Sequence, residues 1–242
     1  MGRVDPIADA EVIMTELVLA DVESATSQFQ KNEKKARGQD KEAAANAQLL
    51  ERLMPHLDQG KPANLLEMDE DERLRIKSFC LLSSKPMLYA CNLKEDEVAD
   101  PESNPNLAGF QEWASKQQDA NCCIISAKME EELSDLSDED AKEYLEAMGV
   151  EDSGVTSLIR ASYQLLGLAS YLTAGEKEAR AWTFKQGMTA PQCAGVIHTD
   201  FEKSFIKAEV VSYVDLIAAG SMQAARENGK LRLEGKEYIF ED

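Results

Sequence analysis

The sequence predicts an α/β protein, with a long helical hairpin before the strands and a smaller β-rich domain after them. Three observations carry that prediction. Ala43, Ala47, Leu50, Met54 and Leu57 recur at alternating steps of four and three residues, the seam of a paired helix. The runs 86–91 and 121–126 are short and almost wholly apolar, and a helical pattern separates them, as in a strand–helix–strand unit of a parallel sheet. Finally, residues 1–165 hold nearly all the excess negative charge, whereas residues 166–242 are close to neutral. The expected domains are therefore 1–84 (hairpin), 85–165 (α/β) and 166–242 (mixed β).

Over 242 residues, 26 basic and 45 acidic side chains give a net charge of −19. So acidic a body repels phosphate backbones, which argues against generic nucleic-acid binding and against sequence-specific DNA recognition by the whole chain. The near-neutral last third can still hold a local basic face. There is no run of about 18 apolar residues, so no membrane-spanning helix is expected. Met1 to Ala10 lacks the apolar stretch of a secretory signal. Cys80, Cys91, Cys122, Cys123 and Cys193 have no zinc-like spacing and read as reduced thiols packed as small hydrophobes, in a cytoplasmic chain.

Taken in order, Asp9 is expected to cap the first helix, with Val12, Ile13, Leu17, Ala20 and Ser24 inward. A polar stretch broken at Gly38 then turns the chain back, making an antiparallel hairpin that ends at Gly60-Lys61-Pro62. The charged positions from Glu33 to Glu42 read as a solvated face. A third helix is expected over 69–82, with Leu74, Phe79 and Leu82 inward. The strand at 86–91, buried on both faces, leads through a loop at 96–106 and a helix at 108–118 to the strand at 121–126. Acidic helices follow at 129–133, 138–148 and 154–168. Strands at 169–173 and 179–184 flank Gly175-Glu176-Lys177 as a hairpin. Pro191 opens a short helix to Ile197. Phe205 to Val211 reads as a strand with Ile206, Ala208 and Val210 on one face. A last β region spans 231–240.

Two strand ends matter most for chemistry. The first strand runs into Asn92-Leu93-Lys94-Glu95 and the second into Ser126-Ala127-Lys128. Ligands of open α/β sheets sit at the carboxyl ends of strands. An Asn there offers a donor and an acceptor to a base edge, and a Ser-Ala-Lys turn presents backbone N–H groups. The pair resembles the base-recognition half of a P-loop GTPase, whose usual motif is Asn-Lys-x-Asp. Here Leu93 stands at the Lys position and Glu95 at the Asp position, so guanine preference is not implied. A lone Asn at a strand end is commonly a turn or cap residue; two such turns, one after each apolar run, are more specific.

Wider stretches then carry a family resemblance. Val4-Asp5-Pro6-Ile7, Thr15-Glu16-Leu17, Ala20-Asp21-Val22-Glu23, Asn92-x-x-Glu95, Ser126-Ala127-Lys128 and Glu178 to Thr183 all take part. So, most specifically, does the segment from Thr189 to Lys203. On these the chain resembles the YchF (Obg-like ATPase) family over essentially its whole length. The resemblance implies a P-loop NTPase (Rossmann-like) sheet with an inserted coiled-coil hairpin, followed by a β-grasp TGS domain. It also implies ATP as the preferred nucleotide, with GTP possible, together with Mg²⁺ in the complete protein, none of them bound tightly by this chain alone, and the ribosome as partner. By that analogy Asn92 and the Leu93 backbone meet the adenine, Glu95 holds the acidic position, and Ser126 and Ala127 line the base pocket.

The chain departs from the family pattern in one respect. Nothing in it matches G-x-x-x-x-G-K-[ST], whose backbone and Lys hold phosphates and whose hydroxyl reaches Mg²⁺. Gly60-Lys61 and Gly229-Lys230 lack the other members of the motif. The expectation is an internal part of a longer protein, without catalytic residues and inactive alone, its TGS sheet cut after Asp242. The alternative is a non-catalytic interaction module built from the hairpin and the TGS domain. His198, Asp200 and Glu202 read as turn and cap residues rather than a metal site. Trp182, Tyr171, Phe184 and Phe201 read as packing rather than a stacking platform. Lys177, Arg180, Lys185, Lys203 and Lys207 are candidates for contact with ribosomal RNA, a solvated face being the equal rival.

Overall fold

Asp5, rather than Asp9, caps the first helix. The computed structural model describes residues 4–175 and 178–240. In it α1 (Pro6–Ala36) starts with the Asp5 carboxylate accepting the Ala8 N–H at 3.2 Å. Pro6 stands at the first helical position, where a missing N–H costs nothing. The helix continues into the polar stretch as far as Ala36, and the chain turns back around Gly38. Asp40 caps α2 (Lys41–Asp58) by accepting from the Glu42 and Ala43 amides, both at 3.0 Å. Asn46 donates to Asn32 at 3.3 Å and Thr26 to the Met54 sulfur at 3.9 Å, so the two helices run antiparallel.

The inward face of α1 is turned by one residue from the expected one. Val18, Asp21 and Ala25 are buried in place of Leu17, Ala20 and Ser24, while Val12 and Ile13 are 57% and 55% exposed. They meet Leu49, Leu50, Leu53 and Leu57 of α2, and Ala47 and Met54 are only half-buried. The third helix is also shorter than expected. The side chain of Asp69 and that of Glu72 cap it reciprocally, α3 covers Glu70–Ile76, and one 3₁₀ turn carries it to Phe79. Cys80 then adopts a left-handed conformation (φ 54°), which ends the helix and redirects 81–83. Phe79 points inward as expected, but Ile76 and Leu81 do so in place of Leu74 and Leu82, which are exposed.

β1 (Met87–Asn92) and β2 (Ala120–Ile125) pair in parallel, from Met87 opposite Ala120 to Asn92 opposite Ile125. They form a two-stranded sheet, so each strand has an open edge, and only Cys123 is buried. That corrects the expectation of strands buried on both faces. Between them lie α4 (Glu95–Val98) and α5 (Pro105–Ser115), the latter packing Phe110 and Trp113 edge-on against Tyr89 at 5.3 and 5.6 Å. After β2 come α6 (Ala127–Ser134), α7 (Asp138–Met148) and α8 (Gly154–Leu166).

The chain divides into two compact units, Met1–Leu165 and Leu166–Asp242. In the second, β3 (Leu168–Ala174) and β4 (Ala179–Lys185) pair antiparallel, and the Gly175 N–H donates to the Glu178 carbonyl at 2.9 Å. Glu176 and Lys177 lie outside the described residues. Ala169, Phe184 and Cys193 form the core, with Tyr171, Met188 and Phe240 against them. Then follow α9 (Ala190–Ile197), α10 (Thr199–Ser204), β5 (Ala208–Val210), α11 (Tyr213–Ala219), α12 (Met222–Glu227) and β6 (Arg232–Glu234). The strand expected over 205–211 is thus only three residues long. Ile206 lies outside it and is 78% exposed. Three short helices, α10 to α12, take up chain that the apolar pattern left unassigned. β6 pairs antiparallel with β5, and Ile239 forms a single bridge to Thr189. Among the described residues no helix is long and apolar enough to cross a membrane.

Candidate functional site

Parallel pairing brings the carboxyl ends of β1 and β2 out side by side. The Leu93 N–H donates to the Ile125 carbonyl at 2.8 Å, carrying the ladder one step past Asn92. The N–H of Ala127, unpaired within its own helix because it opens α6, donates to Asn92 Oδ1 at 2.9 Å. This bond fixes the Asn92 amide: its oxygen is engaged and its Nδ2, without a partner among the described residues, offers two donors. Ser126 is buried and caps α6, its hydroxyl accepting the Met129 N–H at 3.5 Å.

Charge closes the same end. Lys128 Nζ donates to Glu95 at 2.7 Å and lies 3.6 Å from Glu132, which accepts from the Tyr144 hydroxyl at 2.7 Å. The hydrogen bond to Glu95, then the charge of that carboxylate, holds the Lys128 ammonium above its ordinary pKa. The Tyr144 bond lowers the Glu132 carboxyl and raises the Tyr144 phenol. Asn92, Leu93, Glu95, Ser126 and Ala127, the expected base-binding set, thus gather at one strand-end surface. The charge network through Lys128, Glu132 and Tyr144 was not anticipated. Its one sequence signal is the place of Lys128 in the same turn as Ser126.

A pocket of about 250 Å³ opens beside this surface, lined by Val98, Pro101, Ile125, Met129 and Gly154 among others. Of the expected base-binding residues, only Ser126 lines it. The Glu130 carboxylate accepts the Gly154 N–H at 2.6 Å at its edge. Burial pushes the Cys91 thiol, on β1, up to about 11, which leaves it a poor nucleophile. No three His, Cys, Asp or Glu side chains among the described residues are grouped to hold a metal ion.

In the second unit the Arg180 guanidinium lies 4.2 Å over the Trp182 ring, whose indole N–H donates to Thr173 at 2.8 Å. Lys185, Lys203 and Lys207 are exposed and form no ion pair among the described residues. The fifth candidate, Lys177, lies outside the described residues. His198 Nδ1 accepts the Asp200 N–H at 3.2 Å and caps α10. Glu202 packs on Gly195, where a Cβ would stand 2.7 Å from its carboxylate. Tyr171, Phe184 and Phe240 pack together with centroids 5.0–5.8 Å apart, whereas Phe201 is exposed beside His198.

Two loops tied across the ends of a parallel strand pair define the chain as an α/β protein with a strand-end site. Residues 168–242 match the family model YchF-GTPase_C, described as a protein of unknown function (DUF933). Over 241 residues the chain is 48% identical to the ribosome-binding ATPase YchF of Bacillus subtilis (strain 168), covering 100% of this chain and 66% of the relative. It is 42% identical to the ribosome-binding ATPase YchF of Escherichia coli O157:H7, covering 100% and 65%. The solved structure of the Schizosaccharomyces pombe YchF GTPase superposes with a TM-score of 0.79 at 32% identity, over all of this chain and 65% of that one. The chain belongs to the YchF family, and it spans about two thirds of the length of these relatives.

Proposed function

We propose that this chain supplies the base-recognition end of the nucleotide site, and a TGS-type interaction domain, within a cytoplasmic, ribosome-associated ATPase. Residues 85–165 are then the carboxyl-terminal half of a P-loop NTPase domain, 1–84 its inserted helical hairpin and 166–242 the β-grasp TGS domain. The hydrogen bond from Ala127 to Asn92 carries the proposal. Both purines present N7 as an acceptor, and the outward donors of Asn92 serve either. They differ at position 6, where adenine carries an amino donor and guanine an oxygen. The oxygen of guanine calls for the Ala127 N–H, which is already given to Asn92, whereas the second lone pair of Asn92 Oδ1 can accept from the amino group of adenine. A site that leaves a ligand acceptor unpaired selects against it, so ATP is favoured and GTP admitted more weakly.

The residues present do not fit the phosphates or Mg²⁺. No phosphate-loop motif occurs in the sequence, and Lys128 is held by carboxylates. Turnover therefore requires a phosphate cradle this chain does not contain, and alone it is expected to hydrolyse neither nucleotide. Arg180, Lys185, Lys203 and Lys207 are the proposed contacts to the ribosome. The test is a titration of the chain with ATP and with GTP, followed by nuclear magnetic resonance. ATP is expected to shift the Asn92 side-chain amide and the amides around Ala127 at lower concentration than GTP does. Tighter GTP binding, or no shift there with either nucleotide, overturns the assignment.

A further inference from the structure

On the base-site assignment, Glu95 stands where the Asn-Lys-x-Asp motif that the loop resembles has its Asp, the carboxylate that meets the Watson–Crick edge of the base. Guanine offers that carboxylate two donors, its N1–H and its 2-amino group. Adenine offers a lone pair at N1 and nothing at position 2. A free carboxylate here therefore rewards guanine and opposes adenine, the reverse of the preference proposed above.

The Glu95 carboxylate is not free in this structure. Lys128 Nζ lies 2.7 Å from it, and the Glu95 side chain is 24% exposed. Lys128 reaches it from the first turn of α6, the helix whose opening N–H is bound to Asn92. Glu132, one turn along that helix, draws the same ammonium from 3.6 Å. Tyr144 on α7 holds Glu132 in turn through its hydroxyl at 2.7 Å.

Resting on the base-site assignment, we propose that Lys128 determines base specificity by occupying the Glu95 carboxylate and so withholding from guanine the acceptor it requires. Lys128 is a positioning residue: it acts through Glu95 and not on the nucleotide. Glu132 and Tyr144 support it from behind by limiting where its side chain can go.

The experiment compares ATP and GTP affinities of the chain with those of K128R, K128A and K128A/E95A, read from the Asn92 side-chain resonance. Lys128 is exposed, so K128R and K128A remove no core packing, and Glu95, replaced only in the double variant, is half-buried. K128A is expected to raise the ratio of GTP to ATP affinity about tenfold, the effect of one charge-assisted hydrogen bond becoming available. K128R is expected to keep the wild-type ratio, and K128A/E95A to lose the gain. A K128A ratio equal to wild type, with ATP still preferred, overturns the role of Lys128 and leaves the base site standing. A gain that persists in K128A/E95A overturns it as well, because Glu95 is then not the acceptor. Wild-type chain that shows no strand-end shift with either nucleotide removes the base site and this proposal together.

Discussion

Asn92 and Ala127 lie 35 residues apart in the chain and 2.9 Å apart in space, side-chain oxygen to backbone nitrogen. One bond joins two strand ends and also aims the Asn92 amide. These roles are separable. Asn92→Asp keeps an oxygen for Ala127 but replaces the outward donor with an acceptor; Asn92→Ala removes both. Asn92→Asp is expected to retain slow amide exchange at Ala127 while losing ATP binding, and Asn92→Ala to lose both. Fast exchange at Ala127 in both variants would show that the side-chain oxygen is not what ties the loops.

Asp21 is expected to be the costliest single residue to remove from the hairpin. It is 1% exposed and accepts from the Leu82 and Ser83 amides at 2.7 Å each and from the Ser83 hydroxyl at 2.6 Å. That hydroxyl in turn accepts the Ala63 N–H at 2.9 Å. Asp21→Ala strands two backbone donors away from water, at a cost of about 3 kcal/mol. Urea unfolding followed by helicity measures it, and a loss under about 1 kcal/mol would mean that water or a rearranged loop satisfies those donors.

Asp21 also shows why part of the fold was hard to read from the sequence. α1 carries apolar residues on two faces, Val12-Ile13-Leu17 and Val18-Val22-Phe29, and the choice between them is made by tertiary partners. A buried carboxylate lies on the winning face, which an apolar pattern cannot place. The parallel strand pair and the two strand-end motifs were legible because an apolar run followed by Asn or Ser is a local signal. The short helices α10 to α12 were not: each is six or seven residues, too short for a helical period to emerge, and each rests on capping by one side chain. The Lys128–Glu95 contact joins side chains 33 residues apart, and only the parallel register brings them together.

Alkaline pH is expected to destabilise the second unit. Burial pushes Tyr171 up to about 12 and Cys193 up to about 11, from ordinary values of 10.0 and 9.0. Both groups are neutral when protonated, so the folded state holds these protons more tightly than the unfolded one. Their stabilisation is complete below pH 9 and is lost as pH rises through about 11 and then about 12. Tyr171→Phe keeps the ring contacts and gives up the hydroxyl bond to the Cys193 carbonyl, 2.8 Å long. It is expected to cost about 1 kcal/mol at neutral pH and to flatten the alkaline decline. Melting curves across that range, wild type against variant, decide it; parallel declines would exclude Tyr171 as a cause.

Salt dependence separates a ribosomal contact from a solvated face. Each lysine that neutralises an RNA phosphate releases a counterion and contributes about 0.7 to 0.9 to the slope of log affinity against log salt. Replacing Lys185, Lys203 and Lys207 by Gln is therefore expected to weaken ribosome co-sedimentation and to flatten that slope by about two. An unchanged slope would leave these lysines as surface charges with no phosphate partner.

Hydrogen exchange is expected to rank the elements of the first unit in an order set by how each closes its own core. The helical hairpin seals Leu49, Leu50, Leu53 and Leu57 against Val18 and Ala25, all at 0–1% exposure, through contacts between consecutive helices. The parallel pair has no such closure. Each strand has one open edge, β1 has no buried residue, and β2 has only Cys123. Unpaired edges and half-exposed apolar side chains lower the free energy of local opening and offer a template for pairing with another chain. Amides of 49–57 should therefore exchange more slowly than those of 87–92 and 120–125, and the gap should narrow if a third strand covers β1. Equal protection of sheet and hairpin in the isolated chain would mean that the strand pair is already closed, for example by a second copy. Repeating the exchange at several protein concentrations separates that case, because only self-association makes the protection concentration-dependent.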